Sequence, residues 1–414
     1  MSQWTPEWQV TINGGGDYTN LTIANMTITS GRTDIYSQPY AGYCNVQIIN
    51  LDQSPIVIDV NDQITIKVKD STGTFVNLFG GFVTDIDLQV TQASSTAISE
   101  VIGIVAMGAL SKLPKTLTEG VLSKAFDGDQ IYAILSQVLF NTWNEVPAAL
   151  TWATYDATTT WAQAENSGLG DIDQPGDYEL TARTSEITDV YTLVTSLATS
   201  GLGYLYEDAQ GRIGYADSTR RNTYLASNGY VDLTGHHALA RGIRTQKRSG
   251  DVRNNVTITY KSNAQETATD VDSIATYGQQ AYEITTSLEN SADALSQAQF
   301  YLTLRAFPQA QFRSITFPIS SPEIDDTDRD SLLNVFMGLP LNITELPANI
   351  NNGEFQGFVE GWTFTAGYNS LYLTLTVSPT AYSLQAMRWN GVPVTESWNT
   401  LNAGLEWIDA TIVA

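Results

Sequence analysis

The sequence predicts a mainly β chain interrupted by an α+β insertion, and three observations carry that reading. Val and Ile alternate with Thr, Asp and Gln at a period of two from Trp8 to Leu113. Between 112 and 240 the pattern changes to helical stripes whose first turns carry acids. From Arg241 onward the period of two returns. The chain divides accordingly into a β region (1–111), a mixed region (112–240), a second β region with one helix (241–385) and a C-terminal arm (386–414). A chain of 414 residues that is 42% hydrophobic has length for several domains with real cores, at roughly 100–200 residues each.

Trp8-Gln-Val10-Thr-Ile12 runs into Asn13-Gly14-Gly15-Gly16-Asp17 and continues as Tyr18 to Ile23, an opening hairpin. Ile56 to Val60 and Gln63 to Lys69 flank the turn Asn61-Asp62. Phe75 to Phe79, Phe82 to Val90 and Ile98 to Met107 add short strands around Gly73, Gly80 and Gly81. Strands at this spacing make a small antiparallel barrel or sandwich. In the insertion, Ile131, Ile134, Leu135, Val138 and Leu139 form an apolar stripe behind Asp127 and Asp129. Ser185 is placed to cap a second helix, with Val190, Leu193, Val194 and Leu197 as its stripe and Gly201 as its stop. Tyr204 to Tyr206 and Ile213 to Tyr215 make a hairpin around Asp208 to Gly211. Val256 to Tyr260 is again a strand, and Ala292 to Arg305 a helix entered at Ser291 and halted before Pro308. Phe312 to Ile319, Leu341 to Ile343, Phe355 to Phe364 and Leu371 to Val377 then read as a second barrel-like domain.

The composition excludes several functions. The net charge is −24, yet charged residues make up only 15% of the chain, against about 25% in an ordinary globular protein. Scarcity of Lys and Arg produces the acid excess, and generic nucleic-acid affinity, which needs a basic footprint, is excluded. Nine Trp, twenty Tyr and thirteen Phe exclude the low-hydrophobicity route to disorder. Cys44 is the only cysteine, so no intramolecular disulfide forms. The start MSQWTPEWQV has neither the basic nor the apolar region of a signal peptide, and synthesis in a cytoplasm is expected. No run approaches the roughly 20 apolar residues needed to cross a bilayer, so no direct membrane insertion is expected.

Catalytic signals are sparse. The only histidines, His236 and His237, are adjacent and point to opposite faces on a strand, which does not suit one metal or a base beside a nucleophile. Zinc-protease, nucleophile-elbow, Walker and dinucleotide motifs are missing. The acid run Glu323-Ile-Asp325-Asp-Thr-Asp328-Arg-Asp330 matches the start of a calcium loop. It departs at Ser331, where a Gly is wanted, and at Met337, where a Glu is needed, and reads better as a loop entering a helix. Nothing in the pattern calls for a metal or cofactor. Paired carboxylates of a glycosidase cannot be tested by spacing alone.

Two clusters are candidates for interfaces. Arg241, Arg244, Lys247, Arg248 and Arg253 concentrate base in an acidic chain, either as a charged strand edge that discourages aggregation or as an inter-subunit contact. Trp389, Trp398 and Trp407 recur at nine-residue intervals in the arm, either folding back on the second barrel or anchoring a neighbouring protein.

The stretch Gly31-Arg-Thr-Asp34-Ile-Tyr-Ser-Gln38-Pro39-Tyr-Ala-Gly42-Tyr-Cys44, continuing as Val46-Gln-Ile48-Ile-Asn50-Leu, resembles the opening of minor tail proteins of siphophages infecting actinobacteria. Gly250-Asp-Val-Arg-Asn254-Asn-Val256-Thr-Ile-Thr259, Asp272-Ser-Ile-Ala-Thr276-Tyr-Gly278 and Phe358-Val-Glu360-Gly-Trp362 are similar to that family too. The order of elements down to Ser378-Pro379 also matches, so the resemblance covers most of 1–385. It implies a baseplate or tail-tip hub: two tube-type β-barrel domains separated by the α+β region, three copies forming a pseudo-six-fold ring. Such a homotrimer adapts a hexameric tail tube or distal tail ring to the tip and gates DNA passage, meets the tape-measure protein and the tip or receptor-binding proteins, and sits in the virion. DNA passes through its lumen without specific binding, which suits an acidic surface. Larger members append a peptidoglycan hydrolase; here about thirty residues follow the second β region, too few for one, so no enzyme is expected. Two other readings compete: a cell-wall glycosidase or depolymerase using paired carboxylates, and a glycan- or receptor-binding tail protein.

Overall fold

Alternation of buried and open positions along Gln63–Lys69, where Ile64, Ile66 and Val68 are all buried, shows the period-two rule at work: one face of each strand supplies the core. The computed structural model describes residues 4–380, apart from 13–15, 20, 36, 51–54, 94–97, 140–167, 240–242, 247, 309–310 and 351–352.

Thirteen strands form one sheet: β1 (Trp8–Ile12), β2 (Gly16–Tyr18), β3 (Leu21–Gly31), β4 (Tyr43–Asn50), β5 (Gln63–Lys69), β6 (Phe75–Ala93), β7 (Ile98–Met107), β8 (Val231–Thr234), β9 (Arg244–Gln246), β10 (Gln311–Pro318), β11 (Pro340–Thr344), β12 (Phe355–Gly367) and β13 (Ser370–Pro379). The order is β9-β10-β13-β12-β3-β4-β7-β6-β5-β1-β2, with β11 and β8 continuing from the other end of β12. Both strand-rich regions therefore belong to one sheet, joined where β12 pairs with β3. Among the described residues the strand path does not close on itself into the two expected barrels.

The opening hairpin is present, with Val10 opposite Tyr18. Ile56 to Val60, expected as a strand, is instead a loop: Asn61 takes φ 72° and Asp62 closes a turn onto Asp59, so the alternating Ile56 and Ile58 pack on the core without a ladder. Helix Asp127–Leu139 follows its predicted stripe. Helix Val190–Ser200 is capped by Asp189, which accepts the Thr192 N–H at 2.8 Å; Ser185 lies before a short β bridge and does not reach it. The acid run does lead into a helix, Asp326–Leu333, with Asp325 as its cap.

Two cores result. The larger lies under the main sheet, uniting β1–β7 with β10–β13. The smaller collects Ile131, Leu135, Val194, Leu197 and Tyr215 of the insertion together with Val256, Ile258, Ile284 and Ala298. Those last four come from a three-stranded sheet (Asn255–Tyr260, Ala264–Thr269, Ala281–Thr285) and helix Ser291–Arg305. The segment after 252 thus shares its core with the α+β layer, although its strand grammar is that of the C-terminal sheet.

Candidate functional site

The junction between the two strand-rich modules is the most elaborately built place in the chain. Gly31 ends β3 with φ 87°, a conformation that favours glycine, and a Cβ there would lie 2.3 Å from the Glu360 carbonyl oxygen. That close approach lets the Arg32 N–H donate to the same carbonyl at 2.8 Å. Antiparallel pairing then runs from Gly361 opposite Gly31 to Gly367 opposite Asn25, and Met26 and Ile28 meet Ala366 and Phe364 on the core face.

Glu360 is the residue at which β12 bulges, and its side chain turns into the interior with 1% exposure. It accepts from Arg32 Nε at 2.6 Å, from Arg221 Nη1 at 2.7 Å and Nη2 at 2.9 Å, and from the Ser378 hydroxyl. Both guanidiniums are buried and lie 5.2 and 4.7 Å from the Tyr204 ring centroid. Burial pushes the Glu360 carboxyl up, but Arg221, Arg32 and the hydrogen bonds outweigh it and hold the group down to about 2. One carboxylate thus ties β3, β12 and the helix Arg220–Asn228 together. A second, half-buried carboxylate, Glu207, fastens the α+β layer to the N-terminal module by accepting the N–H groups of Gly42 and Leu110.

The two modules are built alike. Phe79-Gly-Gly81-Phe82-Val83-Thr84 in β6 and Phe355-Gln-Gly357-Phe358-Val359-Glu360 in β12 share Phe-x-Gly-Phe-Val, and a one-residue bulge follows each, at Thr84 and at Glu360. A Cβ on Gly81 would lie 2.4 Å from the Met107 carbonyl oxygen and 2.7 Å from the Phe79 ring. One on Gly357 would lie 2.3 Å from the Ser378 carbonyl oxygen and 2.7 Å from the Phe355 ring. Met107 and Ser378 are the residues paired with Phe82 and Phe358. Strand order agrees as well: β3-β4-β7-β6-β5-β1 in one module, β9-β10-β13-β12-β11-β8 in the other. Only the last pair differs, since β1 runs antiparallel to β5 while β8 runs parallel to β11. The repeated motif stands in the sequence and is the signal that period counting missed.

Of the basic cluster, Arg244 lies on the edge strand β9, and Arg248 just beyond it donates to Gln246 Oε1 at 2.6 Å; both are exposed. Arg253 is elsewhere, donating to the Gly250 and Val252 carbonyls within the α+β layer. Arg241, Lys247, Trp389, Trp398 and Trp407 lie outside the described residues. His236 and His237 approach different carboxylates, Glu345 at 3.2 Å and Asp328 at 3.0 Å. Among the described residues no group of three or more His, Cys, Asp or Glu is placed to hold a metal. In the insertion, Asp171 and Asp173 both bind Arg220, a structural use of paired acids. No described helix is long and apolar enough to cross a membrane.

No protein-family model and no curated protein sequence matches the chain significantly. Solved structures do. The 43 kDa tail protein of prophage MuSo2 from Shewanella oneidensis superposes with a TM-score of 0.51 at 12% identity, over 91% of this chain and 99% of that one. A tail protein from Neisseria meningitidis MC58 does so with a TM-score of 0.57 at 13% identity, over 92% and 98%. This chain is similar to both along almost its whole length, and the likeness is one of fold.

Proposed function

We propose that the chain is a structural component of a phage-type tail, a tip hub in which three copies form a pseudo-six-fold ring. The observation that carries this reading is the doubling: two modules of matching strand order and motif stand side by side in one sheet. A trimer of such chains presents six similar units, the arrangement needed to meet a six-fold tube on one side and a three-fold tip on the other. The shared fold with the two tail proteins supports a tail role.

In this reading the ring docks a distal tail ring and the tape-measure protein. Outer loops and the arm bearing Trp389, Trp398 and Trp407 hold tip or receptor-binding proteins. DNA crosses the lumen without being retained, a task suited by a net charge of −24. The role is scaffolding rather than catalysis. Sedimentation or native mass spectrometry of the full chain, alone and with its tail partners, tests it: the expected species is a homotrimer, and a chain that stays monomeric with and without those partners overturns it.

A further inference from the structure

The doubling exposes an asymmetry. In the C-terminal module the first part of β12 pairs with β11 and the part after the bulge pairs with β3. In the N-terminal module the first part of β6 pairs with β5 in the same way. After the bulge, Asp85 to Val90 pair with β7 alone among the described residues, and their other edge is open. Exposure follows. Phe364 and Ala366, covered by β3, are 1% and 2% exposed; their counterparts Leu88 and Val90 are 60% and 53% exposed. Apolar side chains on an open strand edge are a liability unless something covers them.

The strand that plays the part of β3 in the other module is β9, and its outer edge is open among the described residues too. We propose that the open edge of β6 is covered by β9 of a second copy of this chain, in the antiparallel register that β12 and β3 use within one copy. Internal pairings fix that register. Arg244 pairs with Ser314 as Thr27 pairs with Asn45, and Thr27 lies opposite Thr365, whose counterpart in β6 is Gln89. Gln89 therefore faces Arg244, Leu88 faces Thr245 and Val90 faces Ile243. Ile243 already packs against the main core, so its pairing brings Leu88 and Val90 onto a continuous apolar face. On the opposite face, exposed Asp85 and Asp87 come beside exposed Arg244 and Arg248, opposite charges across the strands. The seam is head to tail, so each copy offers one edge of each kind. The seam rests on the ring reading above only for the number of copies.

Charge reversal in the full chain tests it. D85R/D87R and R244E/R248E, all at exposed positions, should each abolish the assembled species seen by sedimentation while leaving the far-UV circular dichroism spectrum of the folded chain unchanged. The four changes combined in one chain should restore assembly. As a second readout, Q89C/R244C should give disulfide-linked multimers under mild oxidation, since directly opposed residues have Cα atoms at bridgeable distance; Cys44 is buried and links nothing. A trimer insensitive to both reversals, or one not restored by the combined change, overturns this seam and leaves the ring reading standing. A wild-type chain that never associates overturns both.

Discussion

Glu360 is held by two buried guanidiniums, so its substitution leaves like charges facing each other with no counter-charge between them. Glu360→Gln should cost about 3–5 kcal/mol in a denaturant titration, the usual penalty for breaking a buried ion pair from one side; a loss below about 1 kcal/mol would show that the cluster is solvated. Asp127 is the opposite case. Burial lifts its carboxyl to about 6, against hydrogen bonds from the Tyr215 hydroxyl and the Tyr178 and Asp177 N–H groups that pull it down. A raised carboxyl binds its proton more tightly folded than unfolded. Its contribution to stability is whole below the ordinary value of 3.8 and is lost as pH rises through about 6. The shift corresponds to about 3 kcal/mol. Asp127→Asn keeps an acceptor for the two N–H groups, and the Tyr215 hydroxyl can turn to accept from the new amide. Thermal melts at stepped pH should therefore show a shallower fall in stability between pH 4 and 6 for D127N than for the wild-type chain. Glu207, lifted by burial to about 7, contributes to the slope that remains. Identical slopes in the two proteins would refute the assignment.

At the scale of elements, the seam depends on backbone that only glycine allows. Gly31→Ala forces a side chain into φ 87° and into the Glu360 carbonyl at once, and should lower stability by about 2–4 kcal/mol. Gly73 has φ 88° with open space around it, so Gly73→Ala should cost only about 1 kcal/mol in the same denaturant titration. Equal losses would mean that the close approach at the seam contributes nothing. Much of this level is legible in the sequence: the Ile64-Ile66-Val68 alternation, the Val190 to Leu197 stripe and the Ser291 helix all follow from local periodicity. What periodicity cannot carry is the destination of an element. Val256 and Ile258 alternate as a sheet strand should, yet their core partners are Leu197 and Ala298, set by tertiary packing. Ile56 to Val60 alternate too, but the turn at Asn61 removes the partner strand. The Arg221–Glu360 pair spans 139 positions and leaves no local trace. The Phe-x-Gly-Phe-Val repeat is legible in the sequence, and a bulge follows it in both strands.

At the scale of the whole molecule, the number of copies can be tested through the parity of the ring. Every seam between copies joins the Asp85 and Asp87 edge of one to the Arg244 and Arg248 edge of the next. A chain carrying D85R/D87R repels its own kind, and so does a chain carrying R244E/R248E. Each is complementary to the other at both of its edges, so a mixture assembles only by strict alternation of the two variants. Alternation closes a ring of two, four or six copies without a fault, whereas a ring of three must contain one seam between like chains. Equimolar mixing should therefore give open pairs and no closed trimer, while the fourfold variant, whose edges match within a single species, forms the trimer alone. Native mass spectrometry distinguishes the outcomes by counting each variant in the assembled species. A closed ring of even number from the mixture would retain the seam and exclude three-fold closure, because fixed rotation at a head-to-tail contact sets the count.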